Sequence, residues 1–116
     1  MDSACVYITD NYVMIGKMNI EVDANYYTSH IIRLIGVDSG TLNSLVVENT
    51  GTLGHNGIQF DQVGNMTLSS SVVKNFNNAV WFSNTSQSIV IVGNDFSGCA
   101  NKFSSTPSSL LETGNA

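Results

Sequence analysis

The sequence predicts an all-β chain wound as a solenoid, with short parallel strands stacked turn upon turn. Three observations predict it. Val, Ile, Thr, Phe, Tyr and Trp recur in short runs bounded by Asn, Gly and Ser, while helix formers are scarce, with five Ala, three Glu and three Lys in 116 residues. The runs return at nearly constant spacing, as a stacked repeat requires. Proline, which cannot donate to a strand ladder, is confined to Pro107, beyond the last run. Gly, Asn, Ser and Thr make up 48 of the 116 residues, yet hydrophobic residues reach 42%, enough to bury a core at this length.

In chain order, one block reads Val6-Tyr7-Ile8, Ile32-Arg33-Leu34, Ile58-Gln59-Phe60, Val80-Trp81-Phe82 and, more weakly, Asn101-Lys102-Phe103. Successive copies are 26, 26, 22 and 21 residues apart. The other block reads apolar-x-apolar at Val13/Ile15, Leu45/Val47, Met66/Leu68 and Ile89/Ile91. Five residues after its first position stand Met18, Thr50, Ser71 and Asn94, and seven after it Ile20, Thr52, Val73 and Phe96. A unit of about two dozen residues cannot bury its own apolar side, so copies must stack. Equivalent strands then lie about 4.8 Å apart, and columns such as Val6/Ile32/Ile58/Val80 and Ile8/Leu34/Phe60/Phe82 line the interior. Asn suits the corners, because it tolerates left-handed backbone and its amide reaches the next turn.

On these residues, Asn56-Gly57-Ile58-Gln59-Phe60 and Asn78-Ala79-Val80-Trp81-Phe82, alternating with Ser88-Ile89-Val90-Ile91-Val92-Gly93-Asn94-Asp95-Phe96, the chain resembles the right-handed parallel β-helices of the pectin-lyase-like superfamily over residues 5–104. The resemblance implies a right-handed parallel β-helix solenoid of about four to five coils. It does not choose an activity, since that superfamily holds polysaccharide lyases, polygalacturonases, pectin methylesterases, phage tailspikes and structural solenoids. It implies an extracellular or virion setting, although Met1-Asp2-Ser3 offers no basic and then apolar leader.

The coils are expected to occupy residues 1–104, followed at 105–116 by a polar tail that could fold Leu110 and Leu111 over the last coil as an end cap. Each end of such a stack exposes an unpaired edge and an open apolar layer. A homo-oligomer, or a place within a longer chain, is therefore expected. A net charge of −5 removes the usual footprint of nucleic-acid binders, and the apolar stretch Ile31 to Val37, interrupted by Arg33, is too short to span a membrane.

Cys5 and Cys99 fall about four coils apart, roughly 19 Å by rise alone, too far for a disulfide. No zinc-like Cys/His cluster occurs, and neither metal nor cofactor is expected. His30 and His55 precede neighbouring copies and read as solvated or hydrogen-bonded side chains.

Alternation turns the middle residue of each copy outward, giving the candidate ligand-binding column Tyr7, Arg33, Gln59, Trp81 and Lys102. Beside it runs Thr9, Ile35, Asp61, Ser83 and Ser104. Aromatic faces stack on sugar rings and planar polar groups bind hydroxyls, so a polysaccharide is the expected partner of a binding module. Two other readings compete. A polysaccharide-degrading enzyme would use Asp61 as acid or base and Arg33 as electrostatic stabiliser, but Asp61 has no clear second carboxylate and no acidic cluster surrounds it. A purely structural assembly element would need neither.

Overall fold

The strands follow the apolar alternation except around Gly40 and in the tail, and all of them pair in parallel. The computed structural model describes residues 6–23, 30–51, 54–84, 87–107 and 109–116. Cys5 lies outside these residues. The strands are β1 (Val6–Ile8), β2 (Tyr12–Val22), β3 (His30–Ile35), β4 (Ser39–Asn49), β5 (Asn56–Asp61), β6 (Asn65–Ser69), β7 (Val72–Lys74), β8 (Asn78–Ser83), β9 (Ile89–Val92), β10 (Asn101–Ser104) and β11 (Leu110–Thr113). No helix occurs among the described residues.

One sheet runs β1-β3-β5-β8-β10 and the other β2-β4-β6-β9-β11, with β7 paired to the far half of β4. The chain alternates between the two sheets, each circuit adding a strand to both, except that the circuit of β5 adds β6 and β7 to the second sheet. This is a parallel β-solenoid. About three turns are paired on both sides, slightly fewer than the four to five coils expected, and a first and a last turn are each paired on one side. The segment 105–116 supplies β11, which pairs with β9 from Leu110↔Ile89 to Thr113↔Val92.

The interior columns of the first sheet follow the sequence spacing through four turns: Val6↔Ile32↔Ile58↔Val80 and Ile8↔Leu34↔Phe60↔Phe82. In the last turn the register moves by two, with Asn101 opposite Asn78 and Phe103 opposite Val80. Apolar burial explains the shift. β10 has one large apolar side chain, and this register seats it between Phe82 and Phe96, with ring centroids 6.3 and 5.7 Å away. It also stacks Asn on Asn instead of placing Asn101 on the interior column.

The second sheet corrects the other block. Leu45/Val47 is not its second copy; Gly40/Leu42 is, since Val13↔Gly40↔Met66↔Ile89 and Ile15↔Leu42↔Leu68↔Ile91 are the stacked columns. Gly40 is a glycine because no side chain fits there. A Cβ would lie 2.4 Å from the Val13 carbonyl oxygen and 2.6 Å from its Cγ1. Leu45 and Val47 instead stack on Met18 and Ile20.

Between the halves of this sheet the chain bends through one left-handed residue per turn: Lys17, Ser44, Ser70, Gly93 and Gly114, with φ between 52° and 67°. The bend tilts the next amide off the ladder, and side chains from the following turn take it up. Leu45 N–H donates to Ser71 Oγ at 3.0 Å, Ser71 N–H to Asn94 Oδ1 at 2.9 Å, and Asn94 N–H to Asn115 Oδ1 at 3.0 Å. The amides of Asn94 and Asn115 donate in turn to the carbonyls of Leu68 and Ile91. Ser71 and Asn94 are buried yet satisfied. At another corner Asn49 and Asn75 exchange amide-to-carbonyl bonds of 2.9 Å, and Asn78 donates to Asn56 at 2.8 Å.

Candidate functional site

The first sheet carries the predicted row. Tyr7, Arg33, Gln59 and Trp81 are consecutive register partners on β1, β3, β5 and β8. Lys102 is not in the row. The two-residue shift of β10 puts Ser104 opposite Trp81 and leaves Lys102 exposed near the end of the solenoid, its ammonium donating to the Asn115 carbonyl at 3.0 Å. In the second column Ile35, Asp61 and Ser83 are in register, and Ser104 has moved to the first.

Outward orientation does not make this a flat exposed strip. Tyr7 is 55% exposed, Arg33 and Trp81 are half-buried, Gln59 is 2% exposed and Asp61 7%. Strand spacing is the reason. Gln59 stands about 4.8 Å from two longer neighbours, Arg33 and Trp81, which shade it from both sides.

Polar groups in the row are tied to one another. The Arg33 guanidinium lies 3.8 Å from Asp61 Oδ2, and its carbon lies 5.8 Å from the Tyr7 ring centroid, within cation–π range. Asn84, at the left-handed corner after β8 with φ 55°, donates its amide to Asp61 Oδ1 at 2.6 Å. Gln59 Nε2 is 2.8 Å from Ser83 Oγ. The buried Oε1 of Gln59 accepts no hydrogen bond among the described residues.

The structure thus brings Asp61 and Arg33 together, as their neighbouring columns predict, and adds Asn84, which alternation could not reveal because it lies past the strand end. An Asn immediately after a β-rich run, where Gly36 and Gln62 end the equivalent runs with positive φ, is the signal that marks it as a corner able to turn its amide back. Both carboxylate oxygens of Asp61 have partners, Oδ2 the Arg33 guanidinium and Oδ1 the Asn84 amide. Among the described residues no group of three or more His, Cys, Asp or Glu is placed to hold a metal ion. No helix among them is long and apolar enough to cross a membrane.

Cys99 is half-buried, with its Sγ donating to the Val73 carbonyl at 3.3 Å. Burial pushes its thiol pKa up, and hydrogen bonding at Phe76 and Asn75 offsets part of that rise.

Compared with protein-family models, with curated proteins and with solved structures, the chain finds no match.

Proposed function

We propose that the chain is a saccharide-binding solenoid module, with the Tyr7–Arg33–Gln59–Trp81 row as its binding face. The observation that carries this reading is the unsatisfied Oε1 of Gln59 between Arg33 and Trp81. A buried acceptor left unpaired costs about 1–3 kcal/mol. Arg33 and Trp81 cover this atom in the free chain, so a sugar hydroxyl supplies the missing donor when the half-buried Trp81 side chain turns aside, and the indole then offers an apolar face to the C–H side of the ring. The parallel repeat sets further planar groups along the same line, which suits an extended polymer better than a single small ligand. Tyr7, the most exposed member, is the outer stacking platform.

Trp81 is the only tryptophan of the chain, so its fluorescence reports on the face directly. Titration with a panel of neutral and acidic oligosaccharides is expected to shift or quench that emission. Gln59→Leu, which keeps the volume and removes the acceptor, weakens binding about tenfold, equivalent to about 1.4 kcal/mol. Trp81→Ala, followed by calorimetry, abolishes it. A panel with no binder, or a Gln59→Leu chain that binds as well as wild type, overturns the proposal. Release of new reducing ends or unsaturated uronate, lost in Asp61→Asn, would make the chain a depolymerase instead.

A further inference from the structure

The two ends of the solenoid differ. At the first turn the interior positions Val6, Ile8, Val13, Ile15, Met18 and Ile20 are all apolar and only partly buried, whereas their counterparts in the following turns are largely closed off. Around the rim of the same turn stand Tyr7, Tyr12 and Met14, the last two 60% and 70% exposed. β2 adds eleven residues whose outer edge no other strand among the described residues covers. At the last turn Phe103 and Leu110 reach the surface, but the next interior positions are Glu112, above Ile91, and Asn115, above Asn94. Those two are hydrogen-bonded to each other at 3.1 Å, and Lys102 caps the Asn115 carbonyl.

We propose that the first turn is the interface of a symmetric dimer, in which β1 and β2 pair with β1 and β2 of a second copy. The chemistry of the ends selects this occupant. Docked on the last turn of another copy, Ile15 and Met18 would land on Glu112 and Asn115, whose polar groups already have partners, and the arrangement would grow without closing. Docked on another first turn, apolar meets apolar. The exposure pattern of β2 permits the two-fold, because residues 12–16 and 17–21 alternate in the same way on either side of the Gly16–Lys17 peptide. Antiparallel pairing about that peptide sets Val13 against Ile20 of the second copy and Ile15 against its Met18. β1 matches about Tyr7, with Val6 against Ile8 of the second copy. Both edges are closed at once, with Tyr12 and Met14 on the rim, where interfaces favour aromatic residues and Met.

Sedimentation equilibrium of the whole chain tests this. The wild type is expected at twice its 12.4 kDa mass. Tyr12→Glu combined with Met14→Glu, both at exposed positions, sets like charge against Glu21 of the second copy and shifts it to the monomer mass with an unchanged circular dichroism spectrum. Gly16→Lys does the same by adding two like charges beside the two Lys17 side chains at the two-fold, and an added side chain there meets nothing within 4 Å in the monomer. Leu111→Lys, at the opposite end, leaves the dimer intact. A monomeric wild type, a dimer that survives Gly16→Lys, open-ended assemblies, or a dimer broken by Leu111→Lys each overturn the proposal. Since the saccharide readout rests on Gln59 and Trp81, either proposal can fail without the other.

Discussion

At the scale of single residues, the interior of the second sheet is governed by how little room a turn leaves. Gly40→Ala forces a methyl group into the Val13 backbone and side chain, and is expected to destabilise the chain by about 1–3 kcal/mol in urea unfolding. An unchanged midpoint would mean that Val13 moves freely. This position was illegible in the sequence for the same reason: a column recognised by its apolar side chains cannot be followed through a residue that has none. With Gly40 silent, Leu42 had no apolar partner two residues before it, and the apolar-x-apolar pair Leu45/Val47 took its place in the reading. Cys99 gives a second residue-scale expectation. Its raised pKa means the native state holds the thiol proton more tightly than the unfolded chain. This contribution is present at neutral pH and is lost as pH rises through the raised value. With Cys5→Ser as background, alkylation of Cys99 at neutral pH should be much slower in the folded chain than in urea, and equal rates would contradict its burial.

At the scale of elements, the left-handed bend is what divides the second face into two arms, and its occupants differ in strain. Ser70 pays a side-chain penalty at φ 52° that Gly93 avoids at 67°. Ser70→Gly should therefore be neutral or slightly stabilising, while Gly93→Ala should cost about 1–2 kcal/mol, read by thermal unfolding. If both changes behave alike, the bend is not where the backbone strain lies. The ladder that serves this bend predicts that Asn94→Ala is worse than either, because it strands the Ser71 amide and the Leu68 carbonyl together, at about 1–3 kcal/mol for each buried group left unpaired. The spacing of Asn and Ser was readable, since an amide one turn away is a local rule. The shift of β10 was not. It depends on the space between Phe82 and Phe96 into which Phe103 fits, a tertiary fact that overrides the sequence pattern Asn101-Lys102-Phe103 and removes Lys102 from the Tyr7–Arg33–Gln59–Trp81 row.

At the scale of the whole molecule, stacking decides which distant residues meet and which cannot. The columns of the first sheet were legible because bulky residues recur on both sides of a variable outward position. The shading of Gln59 and Asp61 was not, because it comes from the length of neighbouring side chains on adjacent turns. The central claim is that residues about two dozen places apart are lateral neighbours in parallel register, as Thr67 and Val90 are on β6 and β9. It is tested most directly by cysteine crosslinking in a chain carrying Cys5→Ser and Cys99→Ser. Parallel neighbours lie about 4.8 Å apart, within disulfide reach, and second neighbours about 10 Å apart, beyond it. Thr67→Cys with Val90→Cys should crosslink within one molecule under mild oxidation, while Thr41→Cys with Val90→Cys, two turns apart, should not. A chain in which the second pair closes and the first stays reduced is not a parallel solenoid.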